Sequence, residues 1–261
     1  MKSRLDKLLV ERGLVPSRER AQALILAGKV LVNEQKIEKS GAAVDEDAAL
    51  RLLGDDFKYV SRGGLKLERA LEHWHIDVAG RTCLDIGSST GGFTDCLLQH
   101  GAARVLAVDT GYGQLDFRLR NDPHVRLLEK TNARYLTHEM LGEFATFIVM
   151  DVSFISATLV LPAVIASAFA PRTHETETDA PTANARPGSS RELVVLVKPQ
   201  FEAGRSEVGK GGIVRSEAAQ LAALERVRKS VLELGAHSTD AIDSPILGAE
   251  GNREFLLYAK F

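Results

Sequence analysis

Leu84-Asp85-Ile86-Gly87-Ser88-Ser89-Thr90-Gly91-Gly92-Phe93 carries the fold in miniature. A strand-like apolar run, Thr82–Ile86, ends in a glycine-rich turn and passes into the helical pattern Gly92–His100. Glycines let backbone approach a ligand closely, and a helix start offers free N–H groups. In dinucleotide-binding folds the spacing is G-x-G-x-x-G, with a pyrophosphate at the turn. Here Gly87, Gly91 and Gly92 give G-x-x-x-G-G, and Asp85 stands two residues before the first glycine. A carboxylate at that place suits a cationic amino-acid ligand better than a pyrophosphate. The next apolar run, Arg104–Asp109, ends on a second acid about twenty residues past the turn, where a ribose diol is bound in such folds. The candidate cofactor set is therefore Asp85, Gly87, Ser88, Thr90, Gly91, Gly92, Phe93 and Asp109.

Outward from this turn the pattern repeats. Val125–Glu129, Thr146–Asp151, Leu193–Lys198, a weaker Thr239–Ile242 and Glu254–Phe261 read as strands. Helical patterns fall between them at Gly64–Trp74, Arg134–Leu141, Ile155–Phe169 and Glu217–Leu234. Continuous apolar strands alternating with helices predict an α/β domain, a largely parallel sheet covered on both faces. The domain is expected over residues 57–261, preceded by a small unit over 1–56 whose tail, Asp45-Glu46-Asp47 with Asp55-Asp56, is acidic. The Thr/Glu/Ala/Pro-rich stretch 172–191 cannot bury a core and is expected to be a flexible insert.

Bulk properties exclude little but narrow the class. The 261 residues are 44% hydrophobic and 26% charged, with a formal net charge of −2, so any polyanion-binding surface must be local. No apolar run reaches the roughly 18–20 residues of a membrane span, and no signal-peptide core opens the chain, which predicts a cytoplasmic protein without membrane contact. Cys83 and Cys96 lack metal or redox spacing and read as buried small hydrophobes, so no metal is expected.

Four charged residues sit where open α/β sheets bind ligands. Asp151 and Lys198 each end an apolar strand, Lys66 opens the larger domain, and Glu254 begins the last strand. Singly, each is as readily an ion-pair charge as a working group. Their positions alone do not join them into one site; residues of these types would suit attack by a ribose 2′-hydroxyl, in which cations stabilise the developing alkoxide and carboxylates orient or relay.

The glycine turn and Asp109 together look like a class I methyltransferase cofactor site, and five motifs extend the likeness. Ser61-Arg62-Gly63-Gly64-Leu65-Lys66-Leu67, the glycine turn, Met150-Asp151-Val152-Ser153-Phe154-Ile155, Val197-Lys198-Pro199-Gln200-Phe201-Glu202 and Gly209-Lys210-Gly211-Gly212-Ile213-Val214-Arg215 resemble, in order, the TlyA family, also labelled haemolysin A. That resemblance covers essentially the whole chain. It implies a Rossmann-like sheet of FtsJ type with an antiparallel last strand, S-adenosylmethionine as cofactor, and 2′-O-methylation of cytidine in ribosomal RNA or ribosomal subunits. It also implies a Lys-Asp-Lys-Glu tetrad falling on Lys66, Asp151, Lys198 and Glu254. Lys198 would face the hydroxyl, with Lys66 and Asp151 holding and tuning it, and Glu250 competes with Glu254 for the last place.

The N-terminal unit reads as a helical hairpin followed by a strand. Arg4–Val10 begins one helix, Ser17 caps a second, and Gly28–Asn33 makes a turn and strand. Arg4, Lys7, Arg18, Arg20, Lys29 and Lys36 gather there, as phosphate-backbone contact requires. The pattern resembles the small α+β RNA-binding domain (αL motif) of a ribosomal small-subunit protein, pseudouridine synthases and tyrosyl-tRNA synthetases. Lys210, in the glycine-rich segment, is a candidate to touch a phosphate near the target. Competing functions are a non-catalytic RNA-binding or assembly factor, a membrane-active haemolysin, and base instead of ribose methylation. The last usually needs a polar-Pro-Pro-aromatic strand end, and Asp151-Val152-Ser153-Phe154 has no proline. The modified ribosomal subunit and the oligomeric state stay open.

Overall fold

The computed structural model describes residues 2–12, 14–15, 17–53, 58–171, 190–248 and 251–261. These fall into two compact units, Met1–Lys58 and Tyr59–Phe261. The expected boundary at 56/57 and residues 172–189 of the expected insert lie outside the described residues.

The first unit runs β1 (Lys2–Arg4), α1 (Leu5–Glu11), α2 (Arg18–Leu26), β2 (Val30–Val32), β3 (Gln35–Lys36), β4 (Ala43–Asp45) and β5 (Leu50–Leu52). Ser17 caps α2 as expected, its hydroxyl accepting from the Arg20 amide at 3.2 Å. Leu5, Leu8 and Leu9 of α1 pack with Ala21, Leu24 and Ile25 of α2 and with Val30 and Val32. The sequence marked one strand here. Short partners complete it, with β2 central in an antiparallel β3-β2-β5 sheet and β1 paired with β4. Asn33 and Glu34, both at positive φ (+49° and +63°), turn the chain between β2 and β3.

The second unit runs α3 (Gly63–His73), β6 (Thr82–Ile86), α4 (Gly92–Gln99), β7 (Arg104–Val108), α5 (Phe117–Arg120), β8 (Val125–Leu128), α6 (His138–Leu141), β9 (Phe147–Met150), α7 (Leu161–Ala168), β10 (Glu192–Val197), α8 (Pro199–Glu202), α9 (Glu217–Glu233), β11 (Ser238–Asp243) and β12 (Phe255–Lys260). Its seven-stranded sheet has the order β11-β12-β10-β9-β6-β7-β8. Five strands from β10 to β8 are parallel, while β12 runs antiparallel to both neighbours.

Period-two alternation sorts the strand residues between two cores. Leu84, Ile86, Ile148, Met150, Val195 and Val197 face α7 and α9. Cys83, Val105, Phe147, Val149, Val194 and Leu196 face α3 and α4. Both cysteines are buried and neither forms a disulfide.

Two expected helices are broken. Arg134–Leu141 divides into a 3-10 turn, Ala133–Tyr135, and the one-turn α6, because Thr137 adopts extended backbone and caps α6. Ile155–Phe169 divides likewise: Ser156 caps the turn Ala157–Leu159, and Pro162 occupies the first turn of α7. Proline lacks the N–H an interior helical position donates, so Pro162 marks a start.

Candidate active site

Strands β6 and β9 deliver the glycine turn and Asp151 to the same sheet edge. Gly87 has φ +84°, and a Cβ there would lie 2.4 Å from the Asp151 carbonyl oxygen. Gly92 admits the segment before α3 just as closely: its Cβ would stand 2.3 Å from Ser61 Oγ and 2.9 Å from the Gly64 amide nitrogen. A cavity of about 260 Å³ results, with Lys66, Gly87, Ser88, Thr90, Gly92, Phe93 and Asp151 among its walls. Its remaining walls are Ser61–Gly63, Ser89 and Ile246–Gly248, the last of which carries no sequence motif. Asp85, Gly91, Asp109, Lys198 and Glu254 are not among the wall residues.

Asp85 lies directly beneath the turn with 0% of its surface exposed. One carboxylate oxygen accepts from Thr94 Oγ1 at 2.7 Å, while the other is buried without a partner, as is the Ser88 hydroxyl. Burial pushes the Asp85 carboxyl up to about 7; the Thr94 hydroxyl opposes that rise, and the negative charges of Asp151 and Asp109 add to it. An orphaned buried carboxylate oxygen beside a glycine cradle fits an ammonium-bearing ligand. Asp109 accepts from the Ser89 amide at 2.8 Å and the Gly111 amide at 2.6 Å, so its carboxylate is fixed beside the turn with lone pairs to spare.

The four candidate catalytic residues form two ion pairs. Lys66 Nζ donates to Glu254 Oε2 at 2.6 Å, both side chains nearly sealed from solvent. Lys198 Nζ lies 2.5 Å from Asp151 Oδ1 and donates to Ser153 Oγ at 2.8 Å. Lys66 is thus held by Glu254, and Lys198 by Asp151. Glu250 lies outside the described residues.

Three supporting residues have no role assigned from the sequence, although Phe154 and Glu202 stand inside its motifs. The Glu202 carboxylate accepts from Ser156 Oγ at 2.5 Å and the Ala157 amide at 2.7 Å, stitching the segment after β9 to α8; burial pushes this carboxyl up and those two bonds oppose it. Buried Asn252 accepts from the Val214 amide at 3.1 Å and donates to the Gly212 carbonyl at 3.0 Å, so it joins the Lys210 segment to the loop before β12. Phe154, at φ +64°, is 93% exposed, and its ring centroid lies 5.4 Å from that of Phe201. A left-handed backbone is costly for a bulky residue and persists where the surroundings enforce it.

In the N-terminal unit the cations are organised by an acid the sequence passed over. Asp6 is fully buried and accepts from Arg4 Nη2 at 2.9 Å, Gln22 Nε2 at 2.9 Å and Arg18 Nη2 at 3.1 Å. The Arg4 bond, foremost, holds its carboxyl well below the usual range against the cost of burial. Lys7 pairs with Glu11 at 3.2 Å and Lys36 with Glu38 at 2.8 Å, both in the open. Arg20 is half-buried, and Lys29 and, in the second unit, Lys210 are exposed.

A family model of FtsJ-like methyltransferases matches residues 59–261, and one of S4 domains matches residues 3–50. The 16S/23S rRNA (cytidine-2'-O)-methyltransferase TlyA of Mycobacterium tuberculosis is 44% identical over 260 residues, covering 99% of this chain and 90% of that protein. The chain belongs to the TlyA family of FtsJ-like methyltransferases. Hemolysin A of Brachyspira hyodysenteriae, 39% identical over 256 residues and 98% of each chain, is a further relative. The solved structure of a hemolysin-named protein from Streptococcus thermophilus superposes with a TM-score of 0.70 at 39% identity, covering 99% of this chain and 88% of that one. Among the described residues no helix is long and apolar enough to cross a membrane.

Proposed function

We propose that this TlyA-family protein transfers a methyl group from S-adenosylmethionine to the 2′-oxygen of a cytidine in ribosomal RNA, acting on ribosomal RNA or subunits in the cytoplasm. The observation that carries this reading is the meeting of Lys198, Asp151 and Ser153 at the sheet edge that also holds the glycine turn. The name of the Mycobacterium tuberculosis relative supports the nucleoside and the oxygen.

The cofactor, when bound, supplies a methyl group on a positively charged sulfur. Gly87, Ser88, Thr90, Gly91, Gly92 and Phe93 would cradle it, the free oxygen of Asp85 would take its ammonium, and Asp109 its ribose. Lys198 then stands where a ribose hydroxyl would pass its proton to the Asp151 carboxylate or to solvent as its oxygen attacks the methyl carbon. The Lys198 ammonium stabilises the growing negative charge, and Asp151 fixes that ammonium in place. The Lys66–Glu254 pair sets a second cation into the cavity wall without adding net charge. Phe154 beside Phe201 offers the target base a face to stack on. Arg4, Lys7, Arg18, Arg20, Lys29 and Lys36 give the N-terminal unit its contact with RNA phosphates, and Lys210 gives the catalytic unit another. This geometry favours an enzyme over the membrane-active protein that the hemolysin names suggest.

Transfer of tritiated methyl to ribosomal subunits or free ribosomal RNA from an unmodified strain tests it, with Asp151→Ala and Lys198→Ala alongside wild type. Label surviving digestion as a 2′-O-methylated cytidine, and lost in both variants while cofactor affinity persists, is the expected result. Absence of label from every acceptor, despite measurable cofactor binding, would replace the enzyme with a non-catalytic RNA-binding factor.

A further inference from the structure

Arg62 opens onto the same cavity as Lys66, Asp151 and the glycine turn. Its backbone is tightly set. The residue stands in the α-region (φ −57°, ψ −21°) immediately before α3, and its side chain makes no capping bond. Two residues on, a Cβ at Gly64 would lie 2.3 Å from the Tyr59 ring, and Gly92 closes on Ser61 from the other side. The side chain is nonetheless exposed, and among the described residues no carboxylate lies within ion-pair distance of it. Lys66, in the same cavity wall, and Lys198, paired with the wall residue Asp151, are each matched by an acid. A fixed backbone carrying, in a cavity wall, a guanidinium that no described carboxylate matches is arranged for an anion from outside. Leu247, 60% exposed, lies in the cavity wall with it and offers an apolar surface.

We propose that Arg62 binds the RNA phosphate flanking the target ribose. This rests on the ribose-methylation reading above. In RNA the 2′-oxygen and the 3′-phosphate sit on adjacent carbons of one ring. A group that fixes that phosphate therefore fixes the nucleophile, and the planar guanidinium fork can engage two phosphate oxygens at once. The phosphate lies at Arg62, the ribose over Lys198 and Asp151, and the nucleoside's apolar face toward Leu247. Lysine at this position would keep the charge and lose the fork.

The test uses the full-length protein with Arg62→Ala and Arg62→Lys. Binding of a labelled ribosomal RNA fragment is followed by fluorescence anisotropy across a salt series, with S-adenosylhomocysteine present. Cofactor affinity is measured separately by calorimetry. Arg62→Ala should weaken RNA binding about tenfold and flatten the log–log salt slope by roughly one, with cofactor affinity within about twofold of wild type. Arg62→Lys should keep the slope and recover part of the affinity. Weakened cofactor binding with an unchanged salt slope would assign Arg62 to the cofactor's carboxylate and overturn the proposal. Unchanged constants throughout would make Arg62 a surface charge and overturn it equally. Because the slope needs no turnover, it judges Arg62 even if wild type transfers no methyl, an outcome that would count against the parent reading alone.

Discussion

Gly87 and the Asp151 carbonyl are in contact with no room for a side chain between them: a Cβ on Gly87 would lie 2.4 Å from that oxygen. The turn that would hold the cofactor and the strand end that bears the Asp151 carboxylate, proposed to act in catalysis, are therefore one packed object. Gly87→Ala adds a methyl group to a residue at φ +84° and forces the Asp151 backbone away. Backbone strain of this kind costs on the order of 1–3 kcal/mol. Loss of cofactor affinity, methyl transfer at least tenfold down and a melting temperature lower by several degrees should come together. A fully active, equally stable Gly87→Ala protein would show that the turn and Asp151 move independently.

Lys66 and Glu254 should behave as a unit. Removing one member strands the other as a buried charge, which costs about 3–5 kcal/mol, whereas removing both leaves a neutral contact. In urea denaturation, Lys66→Met and Glu254→Gln should each be strongly destabilised, and the double variant should regain most of that loss. Methyl transfer should stay low in all three, because the double variant restores packing but not the cation at the cavity wall. Recovery of activity in the double variant would reduce the pair to a structural role.

Asp85 makes the catalytic unit's stability depend on pH in a defined direction. Its carboxyl is raised from 3.8 to about 7 on folding, so between those values the folded protein holds a proton that the unfolded chain has released. Stability should therefore fall as pH rises through that window and level off above about 7. Asp85→Asn, neutral at every pH, should remove this component when melting curves of the two proteins are subtracted. A cofactor ammonium would favour the charged form, so binding below pH 7 should release a proton, visible as a buffer-dependent heat in calorimetry. Parallel pH profiles for wild type and Asp85→Asn would count against a protonated Asp85.

Asp6 should matter to RNA binding through its neighbours. Asp6→Asn removes a negative charge, and a simple charge argument predicts tighter RNA binding. The structure predicts the opposite, since Arg4 and Arg18 both lose the carboxylate that positions them. The carboxyl's lowered value also means its stabilisation is present above the ordinary carboxylate range and is lost as pH falls below it. Anisotropy with a ribosomal RNA fragment decides the sign; a stronger complex with Asp6→Asn would show that the arginines need no such anchor.

The amino-acid sequence by itself determined the α/β class, the order of strands and helices along the chain and which charged residues end its buried strands. Long apolar strands, a glycine turn with acids on either side of it, and charged residues ending buried strands are local patterns, each readable within a dozen residues. Their partners were not readable. Nothing near Lys66 in sequence points to Glu254, 188 residues away, and nothing near Gly248 says that its missing side chain leaves space for the Glu254 carboxylate, whose Oε1 a Cβ would meet at 2.0 Å. Asp6, Glu202 and Asn252 looked like ordinary polar residues because their role depends on which donors the fold brings to them. Helix ends at Thr137 and Pro162 were legible in principle, since capping and proline chemistry are local. The tertiary structure alone decided the two ion pairs, the burial of Asp85 and the exposure of Arg62 in the cavity wall with no described carboxylate beside it, because burial and charge pairing are properties of surfaces brought together from distant parts of the chain.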